Sequence, residues 1–362
     1  MSFAVILTLT AVLVTATLLP LSRSTHWWVR DLDFPRLQIA AAGLALLAAE
    51  LFLLDLAEFA DEAVIAATLG CIAYQGWWIF PYTRPYPNEV KLCARDAPSD
   101  DRIRILASNV LATNRNAAGL LALVRQHQPD ILITLESNAW WQSQLDVLEA
   151  EYPYTIKCPL ENLYGMHVYS RLALEDSETR FLVEDDIPSM HTTVVLGSGQ
   201  RVQVHFLHPT PPSPTENAES AARDVELLVV AKHVSELNCP VIVAGDLNDV
   251  AWSSTTRLFR KISGLLDPRV GRGMFNTFHA DHWFMRWPLD HLFHSRHFTL
   301  SFIKRLPSYG SDHFPVLVEL VYDAPAGATQ EGLTADAADE KLSEERIAEE
   351  SAKVLKVQRS SS

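Results

Sequence analysis

Cysteine is scarce in this chain: four in 362 residues, at 71, 93, 158 and 239, with no paired spacing suited to zinc. That excludes a disulfide-stapled scaffold and a zinc-ribbon type of site. Cys93 and Cys158 could be joined, but nothing else in the sequence supports the pairing, and Cys71 and Cys239 read as packing residues beside apolar runs. Basic residues are also few, 30 Lys and Arg against 44 Asp and Glu, for a net charge of −14. That argues against sequence-independent duplex binding by phosphate neutralisation, although not against a nucleic-acid substrate held at a metal site. The third absence is local: residues 1–22 carry no charged side chain.

What fills that charge-free start is a stretch apolar enough to cross a bilayer, 3–21, where about 20 residues suffice. A cleaved signal peptide would need a basic leader and a small-residue cleavage site, and neither is present. Two more candidate spans follow, 37–54 and 63–81, the last ending in Trp77, Trp78 and Tyr82 as an interfacial aromatic belt does. Residues 1–83 thus read as a membrane domain of three helices. Arg23, Arg30 and Arg36 precede span two, and Arg84, Lys91 and Arg95 follow span three. Three spans put both groups on one side, so the positive-inside rule leans the rest of the chain toward the cytoplasm. Glu50 reads either as a carboxylate reaching the headgroups or as an intramembrane functional group with no evident partner.

Residues 84–101 are rich in proline and charge and read as a linker. From 102 onward short strand patterns alternate with helical ones. Strands are expected at 102–108, 130–135, 191–196, 201–207, 289–294 and 314–322, and helices at 116–127 and 221–237. Such a mixture of hairpins and crossovers suggests sheets covered by helices. Residues 323–362 have no apolar run; they read as a charged, disordered tail, with a possible charged helix at 341–357.

The strands end alike. Asn109 follows Arg-Ile-Arg-Ile-Leu-Ala-Ser, Glu136 follows Ile-Leu-Ile-Thr-Leu, and His208 follows Val-His-Phe-Leu. Asp246 and Asn248 close Val-Ile-Val-Ala-Gly-Asp-Leu-Asn, where alternation sends both to one side. Asp290 lies in Pro-Leu-Asp-His, and Asp312-His313 precede Phe-Pro-Val-Leu-Val. One such polar terminus is an ordinary loop start; six from the hydrolytic repertoire point to one site. His205, His279, His282, His291 and His294 read as spare polar residues, and the Trp pairs at 27–28, 77–78 and 140–141 as interfacial or packing groups.

This set, from about 103 to 321, resembles the endonuclease/exonuclease/phosphatase superfamily, and with three preceding spans it resembles that superfamily's bacterial membrane-anchored branch. The resemblance implies an α/β (α+β) four-layer sandwich, two mixed β-sheets flanked by helices, as a catalytic domain over 102–322. It implies that Asn109 and Glu136 hold a divalent metal, Mg²⁺ or Mn²⁺. Asp312 is open between metal ligand and loop partner. His208 would contact phosphate or leaving group, although a packing role is open. Asp246 and Asn248 match the family's Asp-x-Asn pair, and Asp290 the Asp that orients the catalytic His313. The Gly-x-x-x-x-Ser-Arg strand appears as Gly165 to Arg171; Asp290-His291 stands where nucleases often have Asp-Tyr.

Chemistry supports these roles. Glu136 is a hard oxygen ligand, and Asp246 or His313 can take a proton from water. The expected activity is metal-dependent phosphodiester hydrolysis, nuclease-like by default. The alternatives are a lipid or inositol-phosphate phosphodiesterase or phosphatase and, from another class, a catalytically silent membrane scaffold. The implied partners are a phosphodiester substrate (nucleic acid, lipid head group or inositol phosphate) and the lipid bilayer, with no protein partner implied. The branch implies a bacterial plasma membrane.

Overall fold

A computed structural model describes residues 3–22 and 24–360, with side chains through 352, so Arg23 lies outside the described residues. Helices α1 (Phe3–Leu18), α3 (Arg36–Leu53) and α4 (Phe59–Ile79) pack together, with the short α2 (Trp27–Arg30) between the first two. Together with their flanking turns, Phe3–Leu21, Arg36–Leu53 and Phe59–Tyr82 are each long and apolar enough to cross a membrane. Most of their surface is apolar and faces outward, while their few polar side chains face one another. Thr10 and Thr68 both donate to Glu50 Oε1, at 2.9 and 2.8 Å. Arg36 donates to Gln75, which donates in turn to Thr17. Glu50 is therefore buried and partnered rather than reaching the headgroups. Its partners come from the two other helices, 40 and 18 residues away, which is why the local sequence does not reveal them.

Beyond the spans come β1 (Arg102–Asn109), α5 (Ala117–His127), β2 (Ile131–Leu135), α6 (Ala139–Leu145), β3 (Tyr154–Cys158), β4 (Met166–Ser170), β5 (Ala173–Arg180), β6 (Ser189–Val195) and β7 (Arg201–Leu207). Then follow α7 (Ala221–Ser235), β8 (Val241–Asp246), α8 (Ser254–Ser263), β9 (Asp290–His294), β10 (Phe298–Arg305), β11 (Val316–Tyr322), α9 (Ala324–Gly327) and α10 (Ala337–Ser360). Two mixed sheets form, in the orders β10-β11-β1-β2-β4-β3 and β5-β6-β7-β8-β9. Strand alternation decides the layers. In β1, Ile103, Ile105 and Ala107 enter the core between the sheets, while Leu106 faces the layer under α5 and α6. In β8, Ile242 and Ala244 face inward and Val241 and Val243 pack beneath α7 and α8. The result is the expected four-layer sandwich. Strand β5 (Ala-Leu-Glu-Asp-Ser-Glu-Thr-Arg) lacks apolar alternation because it is a half-exposed edge.

Two regions differ from the sequence expectation. The linker is strapped to the sandwich: Val90 is fully buried, Cys93 N donates to Leu300 O and Leu300 N to Lys91 O, and Glu89 pairs with Arg260. The stretch expected to be a disordered tail contains α10, docked on α7 and α8. Leu342 and Ile347 pack against the α7/α8 core, and Lys261–Asp339 and Arg346–Asp224 ion pairs span the contact at 2.6 and 3.3 Å. Two apolar residues amid charge make no visible run, so their docking is a tertiary effect. All four cysteines are free.

The sandwich is fixed to the span ends by specific contacts. Trp27 N donates to Ala218 O and Ser220 N to Thr25 O, at 2.9 and 2.8 Å. The Trp252 indole donates to Asp33 O at 2.9 Å and the Tyr82 hydroxyl to Ala251 O at 2.6 Å, within a separate apolar cluster around Tyr82, Trp252 and Leu289.

Candidate active site

Strands β1 and β2 run parallel, as do β7 and β8, so their C-terminal ends emerge at one edge of the sandwich. Asn109, His208 and Asp246 share the parity of the inward residues Ala107, Phe206 and Ala244, which aims all three between the sheets. Asp246 pairs in register with Asp290 of β9. Gly245, at φ +148°, precedes it where an added Cβ would overlap the Leu207 carbonyl oxygen, so no larger residue fits. Glu136 (φ 57°) and Asn248 (φ 49°) both take the left-handed conformation just past their strands, a strained choice for Glu, and both line the site.

The side chains meet. The Asn109 amide donates to Glu136 Oε1 at 2.8 Å and to Asp246 Oδ2 at 3.2 Å. Asn248 N donates to Asp246 Oδ1 at 2.9 Å, and its side-chain amide donates to Pro209 O, fixing the ring of contacts. His313 Nδ1 lies 2.8 Å from Asp290 Oδ2, and its Nε2 lies 3.5 Å from Asp246 Oδ2. Glu136, Asp246, Asn248, Asp312 and His313 all face one cavity of about 750 Å³. His208 does not line it; buried behind, its Nε2 is 4.0 Å from Asp246. All eight sequence-derived residues are thus in one neighbourhood, seven in a continuous set and His208 behind it.

Burial sets the charge states. It pushes His208 down to about 4, so this ring is neutral at pH 7. For His313 burial acts in the same sense, but Asp290 and Asp246 overcome it and raise the ring to about 10. Burial alone would raise Asp246; His313 and His208 reverse that and hold it below its ordinary value. Burial raises Asp290 despite its histidine partner, and its Oδ1 has no hydrogen-bond partner among the described residues. Glu136 is pushed up to about 7 by burial, despite the Asn109 hydrogen bond, with the Asp312 carboxylate adding to the rise. Three carboxylates facing one cavity therefore repel one another. A divalent cation would relieve that, and their hard oxygens suit Mg²⁺ or Mn²⁺. A tighter group, Asp246, Asp290 and His313, also brings ligand atoms within 4.8 Å, but Asp290 and His313 are committed to each other there.

Several residues that support the site had no role assigned from the sequence. Ser311 donates to Asn109 O at 2.8 Å and accepts from His313 N, joining the β1 end to the His313 loop; its place in Ser-Asp-His was the available signal. Thr277 Oγ1 accepts from Asp290 N, and the Tyr164 ring lies 5.2 Å from that of His208. Phe278 packs at 5.0 Å from the His313 ring, and no local pattern announces it. His291 is structural, held between Arg269 and Asp249 O.

Known structures share this architecture. D. rerio TDP2, solved in complex with a single-strand DNA product, is similar at 17% identity over 61% of this chain and 99% of that one, with a TM-score of 0.51. The human Nocturnin catalytic domain with bound sulfate matches at 18% identity over 61% and 95%, TM-score 0.50. An endonuclease/exonuclease/phosphatase from Beutenbergia cavernae matches at 17% over 62% and 72%, TM-score 0.50. At such identities the likeness is one of fold. No curated protein matches the chain. Residues 106–313, more than half of the chain, match the profile of the Endonuclease/Exonuclease/phosphatase family. That span begins in β1 and ends at His313, so it encloses every residue of the cavity's polar cluster, and the chain belongs to this family.

Proposed function

We propose that this protein is a membrane-anchored, divalent-metal-dependent phosphoesterase that cleaves phosphodiester bonds, of the family's bacterial membrane-anchored branch. The observation that carries the reading is the convergence of Glu136, Asp246 and the Asp290–His313 pair on one cavity. Glu136, with Asn109 and Asp312 beside it, would hold the cation. Bound there, the ion would neutralise charge on a non-bridging phosphoryl oxygen. Asp246, kept ionised, accepts the proton of the attacking water, and Asn248 positions that water or a phosphoryl oxygen. His313 already carries its proton at pH 7, so it serves as a cation and proton donor toward the leaving oxygen rather than as the base. Asp290 orients its ring through Nδ1. His208, neutral and buried, supports Asp246 from behind.

Arg30 and Arg36, with Arg84, Lys91 and Arg95 after span three, support a sandwich on the cytoplasmic side of a plasma membrane by the positive-inside rule. The test is turnover of bis-p-nitrophenyl phosphate by the detergent-solubilised full chain in Mg²⁺. Wild type should hydrolyse it, and Asp246→Ala should be slower by about 10³-fold with an unchanged circular dichroism spectrum. Equal, background-level rates for both proteins would leave the silent-scaffold alternative standing instead.

A further inference from the structure

The cavity has a second wall that the chemistry above does not use. It is made by Phe34 and Pro35 from the first span connection, Gln38 from the start of α3, and Phe278, Phe284 and Trp287 from the loop before β9. Gln38 is the third residue of α3, inside the first turn of a span, and its side-chain amide donates to Phe284 O at 2.7 Å. The reaction cavity therefore reaches to about one helical turn, roughly 5 Å, from where that span begins.

Three consecutive large apolar side chains stand out there: Phe284 and Met285, which line the cavity, and the neighbouring Trp283 are 54%, 40% and 79% exposed. Facing water, such a cluster is unfavourable; at the headgroup level of a bilayer, Trp and Phe are the residues expected. An aromatic path leads inward. Phe34 meets Trp287 edge-on at 5.7 Å, Trp287 stacks on Phe278 at 6.2 Å, and Phe278 reaches the His313 ring at 5.0 Å. Charge points the same way. Among the described residues lining the cavity there is no lysine or arginine, while Asp31 and Glu216 add negative charge. A polynucleotide track needs cations for the flanking phosphates, which this cavity does not offer.

We infer that the phosphodiester cleaved here belongs to a phospholipid of the bilayer that holds the three spans, drawn up along the apolar wall until its phosphate lies beside Asp246 and His313. The inference rests on the phosphoesterase reading. In the reaction, the water oxygen bonds to phosphorus and the bond from phosphorus to the departing alcohol oxygen breaks, its electron pair leaving with that oxygen. The proton taken from water is balanced by one delivered to the alcohol. The products are a phosphomonoester and an alcohol, one of them still lipid-borne.

The experiment reconstitutes the full chain in vesicles of phosphatidylcholine, phosphatidylethanolamine and phosphatidylglycerol with Mg²⁺. Lipid products are read by thin-layer chromatography, with bis-p-nitrophenyl phosphate and a single-stranded DNA oligonucleotide assayed in parallel. At least one lipid should be cleaved, and Trp283→Ser should lower the ratio of lipid to soluble-diester turnover on the order of tenfold. A second variant of this cluster, Met285→Ser, should move that ratio in the same direction. Cleavage of the soluble diester or the oligonucleotide without any lipid product overturns the inference and leaves the hydrolase reading intact. So does a ratio that neither variant moves. Inactivity on every substrate defeats the hydrolase reading and takes this inference with it.

Discussion

One wall of the cavity is made of short polar side chains at strand ends, the other of aromatic and aliphatic side chains carried by loops, and different forces hold them. The polar wall is fixed by hydrogen bonds and charge: Asn109 bridges two carboxylates, and Asp290 holds His313. Its residues stand on adjacent strands of a packed sandwich, so their spacing follows from sheet geometry. The apolar wall is fixed by contact between the sandwich and the span ends, through Phe34 on Trp287, Trp252 on Asp33 O, and Gln38 on Phe284 O. The polar cluster is thus an internal property of the sandwich, whereas the shape of the cavity's mouth depends on the three N-terminal helices being docked. A sandwich cut free of its spans would keep the first wall and lose part of the second.

The sharpest way to break this contrast is at the docking cluster. Trp252 is buried and its indole is hydrogen-bonded across the junction. Trp252→Ala should destabilise the protein by about 3–5 kcal/mol, seen as a lower denaturation midpoint. If the walls are separable as described, the surviving folded fraction keeps turnover on a soluble diester. Next in size, Asp290→Asn removes the charge that orients His313. Turnover of bis-p-nitrophenyl phosphate should fall about 10²-fold with little change in KM, because the polar wall acts on the transition state.

The smallest effect contrasts Asp246, a buried carboxylate with cationic and amide partners, with Glu226, one without them. Glu226 lies buried in α7 and is raised to about 8 by burial, with Glu184 adding to the shift, and its Oε1 has no hydrogen-bond partner among the described residues. Folded, it binds more protons than unfolded between about 4.5 and 8, so its contribution to stability falls as pH rises through that window and is level below it. Glu226→Gln should leave the melting temperature unchanged near pH 4 and raise it by a few degrees, roughly 2–4 °C per kcal/mol, at pH 8. A gain over wild type no larger at pH 8 than near pH 4 would contradict the shift.

Much of the polar wall was legible because each residue borders an apolar strand of its own segment, on its C-terminal side for Asn109, Glu136 and Asp246 and on its N-terminal side for Asp290 and His313. The three long apolar helices were legible too, since each is an apolar run of about the length that crosses a bilayer. What escaped were features whose reason lies elsewhere in the chain. Glu50's partners are on other helices, and α10 docks through Leu342, Ile347 and three ion pairs with residues more than 75 positions away. Helix α8 (Ser-Thr-Thr-Arg-Leu-Phe-Arg-Lys-Ile-Ser) is short, and Arg260 and Lys261 separate its buried Leu258 and Phe259 from Ile262. Phe278, Phe284 and Trp287 belong to a loop, where no periodicity marks an aromatic side chain as cavity wall rather than surface.

The central claim is that Glu136 and its neighbours gather one cation where Asp246 and His313 act. It is tested most directly by measuring turnover of bis-p-nitrophenyl phosphate against Mg²⁺ concentration for wild type and Glu136→Gln. The account predicts a saturable Mg²⁺ dependence in wild type, silence in EDTA, and a curve for Glu136→Gln shifted to at least about tenfold higher Mg²⁺. Full wild-type activity in EDTA, or superimposable curves for the two proteins, would contradict it.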